Sequence, residues 1–120
     1  MVDASVASDM AYDTASTSDV ESVIPEEYGG MWFLRDALDC ENLGVTLLEL
    51  EPDAKGKEHD HADEGDEEVY LVVDGELTAE VDGDTVTIGE GEALRVDPGT
   101  TRQVFNRGDE RVRVAIAGAP

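Results

Sequence analysis

The chain predicts an all-β domain, an antiparallel jelly-roll barrel, and three observations predict it. Short apolar segments of four to eight residues, β-branched or aromatic, recur from "MWFLRD" to "RVRVAIA". The gaps between them carry Gly, Pro and Asp, the residues that reverse a chain. No stretch sustains the 3.6-residue period of a helix, and short strands at this spacing assemble into sandwiches or barrels.

The elements follow in order. Residues 1–22, opening "MVDASVASDMAYDTASTSDV", are rich in Ser, Thr, Ala and Asp without apolar periodicity, which reads as a mobile, acidic leader ahead of a single domain over 23–120. Within that domain "MWFLRD", "LGVTLLEL", "EEVYLVV", "ELTAEVD", "TVTI", "ALRVD", "RQVFN" and "RVRVAIA" are expected strands. The last shows the alternation best: Val112, Val114 and Ile116 share one face, Arg111 and Arg113 the other. "VDGEL" and "VDGDT" each set Asp-Gly between extended segments, a strong hairpin signal, and "IGEGEA" and "NRGDE" supply two further reversals. "LRDALDCEN" is expected to form a helical turn and nothing longer, and no internal repeat is visible.

Thirty acids oppose eight bases, a formal charge of −22, and Lys55 and Lys57 are the only lysines. Phosphate backbones and anionic membrane surfaces are bound through cationic patches, so neither nucleic acid nor membrane is an expected partner. Forty per cent of the residues are nevertheless hydrophobic, enough for a core beneath an acidic skin. Such a skin suits concentrated salt, where the Debye length shrinks to about 3 Å at 1 M and self-repulsion fades; a halophilic, archaeal source is expected. The first base is Arg35 and the longest apolar run is "VYLVV", so neither a signal peptide nor a spanning helix is read, and a cytoplasmic location is expected. One cysteine, Cys40, excludes an internal disulfide and a cysteine zinc cage, and no base nearer than Arg35 activates it.

The stretch "KEHDHADEGDEEVYLVVDG" carries the chemistry. His59 and His61 are the only histidines. In extended backbone, residues spaced by one point to the same side, so both imidazoles can converge on one point. Glu68 opens the next apolar run, and a hairpin could bring its carboxylate there. Two imidazoles and a carboxylate ligate Fe(II), with Mn, Ni and Zn also feasible. A solvated acidic loop with two exposed histidines explains the spacing equally well.

The neighbouring residues separate the two readings. Gly56 precedes "HDH", and Glu68 is followed by "VYLVVD" and then Gly75, a pattern that resembles the first motif of the cupin superfamily. The gap "ADEGDE" is longer than is usual there, an extension whose closure entropy grows only logarithmically with length. "GEALRVDPGTTRQVFN", from Gly91 to Asn106, resembles the second cupin motif, with two departures. Asp97 replaces its first proline, and Arg102 stands where the family places a histidine as fourth metal ligand. The resemblance implies a jelly-roll barrel with a divalent metal (Fe, Mn, Ni or Zn) on His59, His61 and Glu68. It says little about reaction, because the superfamily spans dioxygenases, isomerases, decarboxylases, sugar binders and storage proteins.

A guanidinium has no lone pair for a metal. Arg102 therefore either clamps an anionic ligand beside a three-ligand metal, or pairs with Glu68 in a pocket that binds without metal, or points outward. Tyr70 shares strand parity with Glu68 and is a candidate ligand-binding residue, though a core tyrosine with its hydroxyl at the rim is the simpler reading. Trp32 and Phe33 could cover a pocket or a homodimer seam, the seam being the expectation from the resemblance, and Asn106 is read as fixing the turn before "RGDE". Two function classes result: a metal-dependent enzyme acting on a small anionic or oxygenated metabolite, and a sensory or binding domain with Arg102 as anion clamp. No residue announces itself as a catalytic acid or base.

Overall fold

In the computed structural model, residues 11–120 are described; residues 1–10 of the expected leader lie outside the described residues. Residues 11–22 form one 3-10 turn at Thr17–Asp19, closed by a capping box in which Ser16 and Asp19 satisfy each other's backbone amides. Attachment begins at Ser22, whose hydroxyl accepts from Met31 N at 2.9 Å. Val23 N then donates to Met31 O at 2.8 Å.

Each segment read as a strand is one: β1 Gly29–Phe33, β2 Gly44–Leu50, β3 Glu67–Asp74, β4 Glu76–Val81, β5 Asp84–Gly89, β6 Ala93–Val96, β7 Arg102–Phe105 and β8 Val112–Ala119. All pairings are antiparallel, in a five-stranded sheet β1-β2-β8-β3-β6 and a three-stranded sheet β5-β4-β7. "LRDALDCEN" makes a single turn, held by Leu38 N to Leu34 O at 3.0 Å and Cys40 N to Arg35 O at 3.0 Å. No helix among the described residues is long and apolar enough to cross a membrane.

The two Asp-Gly pairs do different things. Asp82-Gly83 is the two-residue turn of the β4–β5 hairpin, both residues at positive φ (50° and 83°), as the strand twist requires. Asp74-Gly75 makes no hairpin, because β3 and β4 belong to different sheets. It is a corner where the chain changes sheet. Gly75 takes φ 85°, and a Cβ there would lie 2.8 Å from Arg111 O, so glycine is required twice over. A dipeptide preference encodes the sharp reversal but not the partner of the strand that follows.

Period-two alternation decides the inside. Leu48 and Leu50 of β2, Tyr70 and Val72 of β3, and Val112, Val114 and Ile116 of β8 all bury into the space between the sheets, while Arg111 and Arg113 face solvent. Leu77 and Val104 close the core from the small sheet. Asn106 is buried and structural: its Nδ2 donates to Leu50 O at 2.9 Å and to Glu110 O at 2.8 Å, while its Oδ1 accepts from Gly108 N at 3.0 Å. Met31 turns toward the core from β1, and Phe33, on the same face, borders the cavity while 52% exposed. Trp32, between them, lies outside with its indole folded over Gly30. The expected shared seam of Trp32 and Phe33 is thus divided, since adjacent strand residues take opposite faces.

Candidate metal centre

Residues 55–61 run extended beside β7. Lys55 bridges Phe105 and His59 bridges Arg102, with reciprocal bonds His59 N to Arg102 O at 3.0 Å and Arg102 N to His59 O at 2.9 Å. Glu68 stands on β3 in the opposite sheet. The histidines and the carboxylate are therefore not joined by the expected hairpin: the former hang from the small sheet, the latter from the large one, and closure of the barrel brings them together. The long gap forms an exposed turn in which Gly65, at φ 72°, donates its N–H to His61 O at 2.8 Å.

His59, His61 and Glu68 each direct a donor atom into one space, all within 4.8 Å of one another. His61 Nε2 lies 3.2 Å and His59 Nε2 3.9 Å from Glu68 Oε1. The rings meet edge to face with centroids 5.0 Å apart. His59 Nδ1 is 2.9 Å from Lys57 O; a carbonyl only accepts, so Nδ1 carries the proton and Nε2 keeps its lone pair. His61 is buried at both ring nitrogens, and neither has an aligned hydrogen-bond partner. An imidazole buried in this way is costly unless something accepts its lone pair. Two imidazole nitrogens and one carboxylate oxygen fit a divalent first-row cation, and Nε2 of His61, the nitrogen beside Glu68, is the one such an ion would engage.

Around Glu68 the remaining charges are arranged asymmetrically. The Tyr70 hydroxyl donates to Glu68 Oε1 at 2.8 Å. Burial, then the neighbouring Glu68 charge and that hydrogen bond, push the Tyr70 pKa up, with Arg102 opposing, so the phenol stays a donor. Arg102 is 1% exposed and turned inward. Its Nη1 lies 4.0 Å from Glu68 Oε1 and its Nη2 donates to Asp97 O at 2.8 Å, leaving Nε and Nη1 without aligned partners. Asp97, the residue in place of the motif's proline, thus holds Arg102 through its backbone. Gly118 is a contributor the sequence did not reveal: it pairs with Glu68 across β3 and β8, and a Cβ there would meet Glu68 Cγ at 3.1 Å. A glycine beside alternating Val and Ile was its only signal.

The three donors face a cavity of about 410 Å3, within the size range of small-molecule sites. Its walls are largely apolar, with Met31, Phe33, Leu48, Val104 and Ile116 around Tyr70. Arg102 does not line it. The guanidinium sits beside Glu68, behind the cavity wall, and reaches the centre through that carboxylate.

Comparison with known proteins places this architecture. A search of curated proteins found no match. Among solved structures, a cupin protein from Bacteroides fragilis superposes with TM-score 0.74 at 22% identity, covering 92% of this chain and 85% of its own. A cupin 2 conserved barrel domain protein from Salinispora arenicola gives TM-score 0.73 at 17% identity, covering 92% and 91%. A sugar phosphate isomerase from a cupin superfamily of Silicibacter pomeroyi gives 0.69 at 25% identity, covering 84% and 69%. The family model described as Cupin domain matches residues 46–117, a span that runs from β2 into β8 and holds every residue of the centre except Gly118. By that match and by its two-sheet barrel, the chain belongs to the cupin domain family.

Proposed function

We propose that this cupin holds one divalent cation on His59, His61 and Glu68 and acts on a small oxygenated, anionic metabolite bound beside it. The observation that carries the reading is the convergence of three donor atoms within 4.8 Å at the cavity, with both His61 nitrogens buried and without an aligned hydrogen bond. Fe, Mn, Ni or Zn, when bound, supplies Lewis acidity and open positions for a substrate oxygen. The chain's own residues prepare the site. The Lys57 carbonyl fixes the tautomer and tilt of His59, and the Tyr70 hydroxyl orients Glu68. Leu48, Val104 and Ile116 exclude water from the cavity wall, so polar contacts with a ligand gain strength. The similar structure described as a sugar phosphate isomerase supports a substrate of this class. A second reading is favoured by one contact: Arg102 Nη1 at 4.0 Å from Glu68 meets the carboxylate's charge without a cation, as a pocket that only binds would need.

Elemental analysis of untagged protein, reconstituted and then desalted in molar KCl, separates the two. We expect close to one transition-metal ion per chain in wild type and loss of it in His59→Ala and His61→Ala. Wild type at background after reconstitution leaves the binding-only reading standing.

We also read the acidic skin as suited to concentrated salt, as a charge of −22 would require, and the outer face of the large sheet as a homodimer seam. Trp32, Leu47, Ala115 and Leu71 align in register across β1, β2, β8 and β3, and Val69, Leu71 and Val73 expose their side chains there. An exposed apolar row of this kind on an otherwise acidic protein marks a contact surface.

A further inference from the structure

Cross-strand register sorts the inner face of the large sheet into rungs, about 6.5 to 7 Å apart along the strands. The first rung aligns Gly44, Gly118 and Glu68, and the second aligns Phe33, Thr46, Ile116 and Tyr70. Met31 and Leu48 begin the third, and Leu50 stands on the fourth. The cavity takes Glu68 from the first rung, all four residues of the second, Met31 and Leu48 from the third and Leu50 from the fourth. Val114 and Val72 complete the third rung but are packed shut at 0% and 1% exposure, so the cavity leads toward β1 and β2. Polarity falls along this path. Glu68 and the two histidines beside it occupy one end, and the hydroxyls of Thr46 and Tyr70 follow, the latter already donated to Glu68. Among the described residues the third and fourth rungs bring only Met31, Leu48 and Leu50 to the cavity, and Val104 faces them from the small sheet. Lys55 and Lys57 border the space only as exposed residues.

We infer that the ligand is an amphiphile, with its oxygenated anionic head at His59, His61 and Glu68 and an alkyl or aryl body laid along the second and third rungs. This rests on the proposed reading of the cavity as the ligand site beside a cation, and it narrows the metabolite to one whose oxygens are gathered at one end. A hydroxyl carried to the third rung would leave water without finding a partner. A methylene buried there is worth about fourfold in affinity. A divalent ion on two neutral imidazoles and one carboxylate leaves net positive charge at the first rung alone, which sets the direction of the head. A polyhydroxylated body such as a sugar's is thereby disfavoured, because nothing beyond the second rung can hydrogen-bond to it.

Calorimetry in molar KCl tests this with butanoate, hexanoate and octanoate on Mn2+-loaded protein, and with butan-1-ol, hexan-1-ol, octan-1-ol and sorbitol on chelator-treated protein. In both series affinity should rise about twofold or more for each added methylene, and sorbitol should bind more weakly than hexan-1-ol. Met31→Gln should flatten the rise from hexanoate to octanoate and leave butanoate unchanged, because Met31 stands on the third rung. Phe33→Ser, at a position 52% exposed, is the second wall variant and should likewise weaken octanoate if Met31→Gln does not fold. Broadening of the octanoate proton resonances by bound Mn2+ should be strongest at C2 and weakest at the terminal methyl. Affinity independent of chain length, sorbitol tighter than hexan-1-ol, wall variants without effect on octanoate, or uniform or reversed broadening overturns the inference. Absent Mn2+ uptake sinks the metal reading separately, since the alcohols report the apolar body without a cation.

Discussion

Replacing Arg102 should tighten metal binding, and the structure bounds by how much. Its Nη1 stands 4.0 Å from Glu68 Oε1. A cation on that oxygen at about 2.1 Å is then no farther than about 6 Å from the guanidinium nitrogen. At an effective dielectric of 20, a double and a single positive charge at about 6 Å repel by about 5 kcal/mol, an upper scale because relaxation and counter-ions reduce it. Retaining even a third of that repulsion corresponds to tenfold or more in affinity, since about 1.4 kcal/mol is one decade. Arg102→Met removes the charge while keeping much of the buried stem, and Arg102→His removes it and adds an imidazole on the strand that His59 bridges. Titration of the three proteins with Mn2+ or Ni2+ by calorimetry in molar KCl should rank them wild type weakest, Met intermediate and His tightest. Thermal melts run alongside show that each variant is folded, because Arg102 also donates to Asp97 O and its loss leaves Glu68 less compensated. Equal affinities in three folded proteins would refute the argument, for the guanidinium charge would then not be felt where the cation binds.

Two further outcomes follow from the surface. Leu71→Asp should convert a dimer to a monomer in sedimentation experiments without unfolding it, because Leu71 ends the row begun by Trp32, Leu47 and Ala115 and exposes its side chain between Val69 and Val73; a wild type already monomeric at tens of micromolar would remove the seam. Lowering KCl from molar to about 0.05 M should reduce the melting temperature by several degrees, as the Debye length grows past about 10 Å and carboxylates repel across the surface. A melting point indifferent to salt would contradict the halophilic reading.

By itself the sequence determined the local structure and the chemical inventory. Alternation in "RVRVAIA" set Val112, Val114 and Ile116 inward because a strand's side chains alternate whatever the fold does with the strand. The spacing of His59 and His61 carried the same local guarantee, Glu68 was a candidate from its place at the start of the next apolar run, and the cupin resemblance favoured the three as one ligand set. The tertiary structure decided which strands became neighbours. Asp82-Gly83 and Asp74-Gly75 look alike as dipeptides, yet the first closes a hairpin and the second sends the chain to the other sheet, because pairing depends on which faces can be buried together. Glu68 meets the histidines across the barrel, over a wall that Gly118 leaves open, and no local rule connects positions on opposite sheets. The burial of Arg102 beside Glu68, rather than outward where a lone arginine in a strand usually points, was likewise settled by packing. Once Glu68 is held inside the barrel, a buried cation within reach of it is less costly than a buried carboxylate left alone.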